Sequence, residues 1–307
     1  MDLLLFGALL LSAIGTGAKQ YAMKKCGAVA PMAYDSIRIN MIRSTICLAV
    51  SLIIWLCTDR SGTNCLGLIL CIAAGFGTAL NLFTWILSAQ RISLTLLEGV
   101  CTIGALVVPL MLAPFLYGGE SVSALQWLGA LFVIVSLFFF SGKGSNSKKR
   151  TSVAGSIMLL FFCATGVALA SVSKKLYTHY VTAERLGSVT IFTLISFLTV
   201  FVAFAVVLAI YSQRERSRKK NAESVTAPAS LRLVWRFILI ASVALYVSEL
   251  FATYASNLPS AIYYPAIKAL NVLGCFLLDV FAFKEKITLK KAVGLLLLLS
   301  AVVLINV

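Results

Sequence analysis

Apolar residues fall in ten long runs separated by short polar stretches, and this alternation sets the first expectation. The runs are Leu3–Tyr21, Ile37–Leu56, Leu66–Leu87, Leu94–Leu116, Leu125–Phe140, Val153–Val172, Leu186–Tyr211, Leu233–Ala255, Ala261–Phe283 and Leu289–Ile305. At 1.5 Å rise per residue, about 20 apolar residues are needed to cross a hydrocarbon core about 30 Å thick. The pattern therefore predicts an all-α membrane protein with ten transmembrane helices, the shortest tilted or lying in a thinned bilayer. Two connections stand out. Residues 141–152 carry Lys143, Lys148, Lys149 and Arg150 among Gly and Ser, a basic linker between a first unit, 1–140, and a second, 153–307. Residues 212–230 carry Arg214, Arg216, Arg218, Lys219, Lys220 and then Pro228, and are expected to form a solvated basic loop beside anionic lipid head groups.

Composition agrees with the pattern. Of 307 residues, 60% are hydrophobic and 12% charged, too little polar surface for a soluble domain of this size. The formal net charge of +15 suggests nucleic acid, but the basic residues lie between apolar runs, as the positive-inside rule requires. Connections after odd-numbered helices and their flanks hold 21 basic residues, including Lys19, Lys24, Lys25, Arg38 and Arg43; those after even-numbered helices hold four, Arg60, Lys174, Lys175 and Arg185. The asymmetry places the odd connections in the cytoplasm and both termini outside, in the inner (plasma) membrane. Met1-Asp2 leads directly into an apolar run with no basic n-region, so the first helix is expected to be retained. The eight cysteines show no metal-ligand spacing and read as small buried hydrophobes, apart from Cys57 and Cys65, which flank one loop.

Five helices per unit would make the second unit enter the membrane from the opposite side, giving two inverted repeats. Gly119-Glu120-Ser121-Val122-Ser123 with Gly129 matches Lys284-Glu285-Lys286-Ile287-Thr288 with Gly294 at an offset of 165 residues. Thr16-Gly17 with Lys24-Lys25 parallels Thr165-Gly166 with Lys174-Lys175 at about 149. Inverted repeats of this kind mark secondary transporters with a site near the midplane. Ala261-Ile-Tyr-Tyr-Pro265, Asp279 to Thr288, Gly294 and Ala301 to Asn306 resemble the last two helices of the drug/metabolite transporter superfamily, EamA-like branch. Leu9-Leu-Leu-Ser-Ala-Ile-Gly-Thr16 is similar to the first helix of the related small multidrug resistance transporters, with Ser12 where that branch carries a proton-binding glutamate. The resemblance implies a ten-helix transporter fold. It also implies cytoplasmic termini, against the basic-residue distribution.

An ionisable group at bilayer depth costs about 3 kcal/mol or more unless paired or hydrated, so each is a candidate site. Glu98, Glu249, Lys268 and Asp279 stand inside apolar runs. Glu249 and Lys268 each lie roughly 10 Å from the outer end of their helix by the rise per residue, and are expected to pair. Asn81, Tyr264 and Asn271 complete a candidate substrate lining. Glu98 has no basic residue within its own run, which makes it the candidate proton-coupling carboxylate. Asp279 is expected to pair locally with Lys284 and Lys286, and Arg43 to reach the cytoplasmic interface. No catalytic motif, metal-ligand set or nucleotide loop is present, so neither enzyme activity nor a cofactor is expected. The expected function is secondary transport, with export of a small polar or zwitterionic metabolite by alternating access; a homodimer is an allowed assembly. A component of a lipid-linked sugar flippase and a non-transporting scaffold or sensor are the alternatives. The charge distribution carries its own test. In a cysteine-free background, an impermeant thiol reagent applied to intact cells should label Asp2→Cys and spare Lys220→Cys; the opposite result reverses the orientation.

Overall fold

The computed structural model describes residues 3–29, 33–58, 60, 62–89, 94–116, 123–140, 153–220, 234–258, 260–284 and 288–306. Every regular element among them is helical. In chain order they are α1 (Leu3–Val29), α2 (Ala33–Cys57), α3 (Cys65–Ala89) and α4, which runs Leu94–Thr102, through a π-helical turn Ile103–Val107, into Val108–Leu116. Then follow α5 (Ala124–Phe140), α6 (Val153–Tyr177, ending in a π turn Thr178–Thr182), α7 (Val189–Lys220), α8 (Trp235–Ala255), α9 (Ser260–Leu277, ending in a π turn Leu278–Ala282) and α10 (Leu289–Asn306). Among the described residues, five segments are long and apolar enough to cross a membrane: Tyr34–Cys57, Cys65–Ala89, Ile157–Thr182, Val189–Gln213 and Trp235–Ala255.

Their outward faces fit hydrocarbon rather than water. On α7, Leu198, Val202, Val206 and Ile210 recur every fourth residue and are all exposed, and on α3 so are Leu68, Ile69, Ile72 and Phe76. A soluble protein does not leave stripes of this kind open to solvent. Lipid contact removes the penalty, and the protein is a helical membrane protein on this ground.

Three helices run further than the apolar runs suggest. α1 continues eight residues past Tyr21 to Val29, so Lys19, Lys24 and Lys25 lie on the helix and not in a connection. α6 likewise carries Lys174 and Lys175 inside the helix, both buried. α7 extends to Lys220, nine residues into the stretch expected as a loop; Arg, Lys, Gln and Glu are good helix formers, and cations suit a helix C-terminus. Residues 221–230 and the linker 141–152 lie outside the described residues, as do Gly119 to Val122 and Glu285 to Ile287 of the repeat motif. Removing the helical lysines from the charge tally leaves its asymmetry in the same sense.

Packing is organised by lengthwise helix pairs: α1 against α8, α3 against α6, α5 against α10 and α2 against α7. Small residues allow two of these seams. A Cβ at Gly77 would stand 2.6 Å from the Gly166 carbonyl oxygen, and one at Gly166 would stand 2.7 Å from that of Gly77 and 2.8 Å from the Asn81 nitrogen. Backbone therefore meets backbone between α3 and α6, as small-residue membrane seams permit. On the other seam, a Cβ at Gly15 of α1 would stand 2.9 Å from the Ala244 carbonyl oxygen of α8. By contrast, Gly274 of α9 has nothing within 4 Å of such an atom. Gly166→Ala should therefore lower thermal stability in detergent by about 1–3 kcal/mol through overpacking. Gly274→Ala should be neutral or stabilising, because Ala is the better helix former. Scanning fluorimetry checks both, and a Gly166→Ala protein melting with the wild type would remove the seam.

Candidate functional site

Polar side chains that the chain holds inside apolar helices converge on one cavity of about 120 Å³. Its walls come from α1, α2, α3, α4, α6, α8 and α9, so both units contribute. α1 supplies a stripe, Ser12, Thr16, Lys19, Gln20 and Met23, at the three- and four-residue spacing that keeps side chains on one helix face. α9 supplies Tyr263, Ile267, Lys268 and Asn271 in the same manner. Leu82 and Trp85 of α3 and Leu245 of α8 add an apolar component.

The charges form two pairs and a remainder. Lys174 Nζ donates to Glu249 Oε2 at 2.7 Å, joining α6 to α8. Lys268 Nζ lies 3.9 Å from Glu98 Oε1, joining α9 to α4, and Gln20 Nε2 of α1 donates to the other oxygen of Glu98 at 2.7 Å. The Gln20 amide oxygen in turn accepts from the Cys275 thiol. Lys19 is within electrostatic range of Glu249, Glu98, Arg43 and Lys268. Arg43, only 1% exposed, donates from Nη1 to Asn40 Oδ1 at 2.9 Å, while its Nε and Nη2 have no acceptor among the described residues.

Glu249 and Lys268 line one cavity and lie within electrostatic range of each other, but each makes its close ion pair elsewhere. Lys174, once inside α6, takes Glu249, and Lys268 turns to Glu98. Glu98 is therefore not free of a basic partner: the cation comes from another helix, where inspection of its own run could not find it. Asn81 and Asn271 both line the cavity. Asn81 Nδ2 donates to the Cys163 carbonyl at 3.4 Å, and Asn271 Oδ1 is buried without a donor among the described residues. Tyr264 falls outside the residues whose side chains are described; its neighbour Tyr263 faces the cavity instead.

Two further expectations change. Arg43 is buried in the cavity wall and does not reach an interface. Asp279 pairs with Lys24 Nζ of α1 at 3.0 Å, a partner from another helix; of the local partners expected, Lys286 lies outside the described residues. The same carboxylate accepts from the Thr95 backbone N–H at 2.9 Å and the Thr95 hydroxyl at 2.6 Å. It thereby satisfies the buried N-terminal N–H groups of α4 from a different helix, a cap invisible to local sequence rules. The polar stripe on α1 is the signal that was available: at positions 12, 16, 19 and 20 it has helical period and marks Lys19 as a facing residue.

Lys174 is buried and Glu249 half-buried, so breaking the pair strands a charge only partly removed from water, at about 1–3 kcal/mol. Glu249→Lys and Lys174→Glu should each destabilise the protein by about that much, and the double exchange should recover much of the loss. Combining Glu249→Lys with Lys268→Glu should recover less. Thermal melting of the five proteins decides between Lys174 and Lys268 as the partner.

No family model matches the chain, and no curated protein matches it either. One solved structure, described only as the crystal structure of a protein, is 14% identical, with a TM-score of 0.59 over 98% of this chain and 94% of that one. At that identity the likeness extends to the fold alone.

Proposed function

We propose that this chain is a secondary carrier of the drug/metabolite transporter type, EamA-like branch, moving a small polar metabolite by alternating access across the inner (plasma) membrane. In this reading all ten helices span the bilayer as two inverted five-helix repeats, with both termini outside. The packing pattern supports the repeat. If helices one to five correspond to helices six to ten, the α1–α8 seam and the α6–α3 seam are one contact made twice. Both are made through glycine, at Gly15 and at Gly166 with Gly77. The α2–α7 and α5–α10 pairs then each map onto themselves.

The observation that carries the reading is the charged cavity at the junction of the two units. Six acidic and basic side chains, Lys19, Arg43, Glu98, Lys174, Glu249 and Lys268, line it. Retaining them inside hydrophobic helices is costly without a task, and a fixed midplane site between repeats is where a carrier needs them. Glu249, Lys268, Asn81 and Asn271 contact the substrate in this reading. Glu98, shared between Lys268 and Gln20, is the coupling carboxylate in this reading, because it is the acid that ties α9 and α1 to α4. The basic C-terminal end of α7 faces anionic head groups.

Purified protein in sealed liposomes tests the proposal. Wild type should concentrate its solute when a proton gradient is imposed. Glu98→Gln should lose that gradient response, by about tenfold or more, while solute exchange continues. Gradient-driven uptake at the wild-type rate in Glu98→Gln would place coupling elsewhere.

A further inference from the structure

We infer that the cavity takes a small organic anion, held by Arg43 and Lys19; the inference rests on the carrier reading above and names its substrate class. The cavity walls carry four cationic side chains and two carboxylates, an excess of two positive charges. Both carboxylates are already committed, Glu249 to Lys174 and Glu98 to Lys268 and Gln20. Among the described residues, Lys19 and Arg43 are the cavity cations without an ion-pair partner. An arginine cannot shed its proton to escape burial, so its charge persists in the cavity wall.

The geometry of Arg43 is specific. Asn40 occupies Nη1, and the two nitrogens without an acceptor among the described residues are Nε and Nη2, both buried in this conformation. These form the side edge of the guanidinium, whose parallel N–H groups match the two oxygens of a carboxylate or phosphate. Lys19, on the facing stripe of α1, adds a point charge that either anion accepts. A cationic solute would meet two like charges and find no free carboxylate. A neutral one would leave the Arg43 edge without acceptors. A zwitterion gains at its carboxylate but places its ammonium among committed acids. Trp85, Leu82 and Ile267 receive the carbon portion.

Two measurements test this. The first reads the cavity's potential without a ligand. In a cysteine-free background, Ser171→Cys, in the cavity wall, is treated with anionic and cationic methanethiosulfonates of similar size. The exposed Cys57, kept alone, serves as the reference. The ratio of anionic to cationic rates should be about tenfold higher at 171 than at 57, and should fall when Arg43→Gln is added. An equal or lower ratio overturns the inference. The second is counterflow in liposomes of labelled succinate, inorganic phosphate and putrescine. Succinate or phosphate should move and putrescine should not, the first two separating carboxylate from phosphate preference. Arg43→Gln and Lys19→Gln should weaken the anion's apparent affinity by about thirtyfold or more, with Lys19→Arg retaining most of it. The Lys19→Arg protein also guards against misfolding as the cause. Movement of putrescine alone overturns the anion assignment and leaves the carrier reading intact. A raised reagent ratio with no solute movement does the reverse: the anion site stands and the carrier reading fails.

Discussion

An ionised side chain inside hydrocarbon must find its counter-charge or acceptor within the protein, and much of this structure follows from that constraint. Lys174 and Glu249 hold α6 to α8, Lys268 and Glu98 hold α9 to α4, and Lys24 and Asp279 hold α1 to α9. No hydrophobic force drives helices together in lipid, where the surroundings are as apolar as the side chains. Directional contacts therefore select which helices become neighbours. Asp279 shows how much one group can decide: it answers a lysine on α1 and the opening N–H groups of α4 together.

The helices among the described residues were legible because long apolar runs have few other uses, and the observed bounds differ from the runs chiefly at polar ends. Those ends are where the reading erred. Cutting α6 at Val172 put Lys174 in a connection, and from there it could not be considered as the partner of Glu249. Lysine near a helix end looks the same in sequence whether it meets water, head groups or an internal cavity. Only its register relative to other polar residues separates the cases, and on α1 that register was present in Ser12, Thr16, Lys19 and Gln20.

Depth was easier to infer than partnership. Counting residues from a helix end placed Glu249 and Lys268 at comparable levels, and they share a cavity. Which helices flank one another is a property of the whole assembly, and a count along one helix holds no information about it. The same limit hid the relation of Gln20 to Glu98, separated by 78 residues, and of Arg43 to the cavity. Arg43 had a familiar alternative in snorkelling, which the burial of its guanidinium removes.

The meeting of Gly77 and Gly166 has a mechanical consequence. A contact built from side chains can yield by changing rotamers, but peptide groups pressed against each other have none to change. α3 and α6 can turn about that point or slip past it, yet they cannot approach further, and parting them exposes polar backbone. The seam acts as an axle of fixed radius. If the Gly15 seam between α1 and α8 acts in the same way, rearrangement of these two helix pairs is confined to rotation or sliding at fixed contacts whose helices wall the charged chamber.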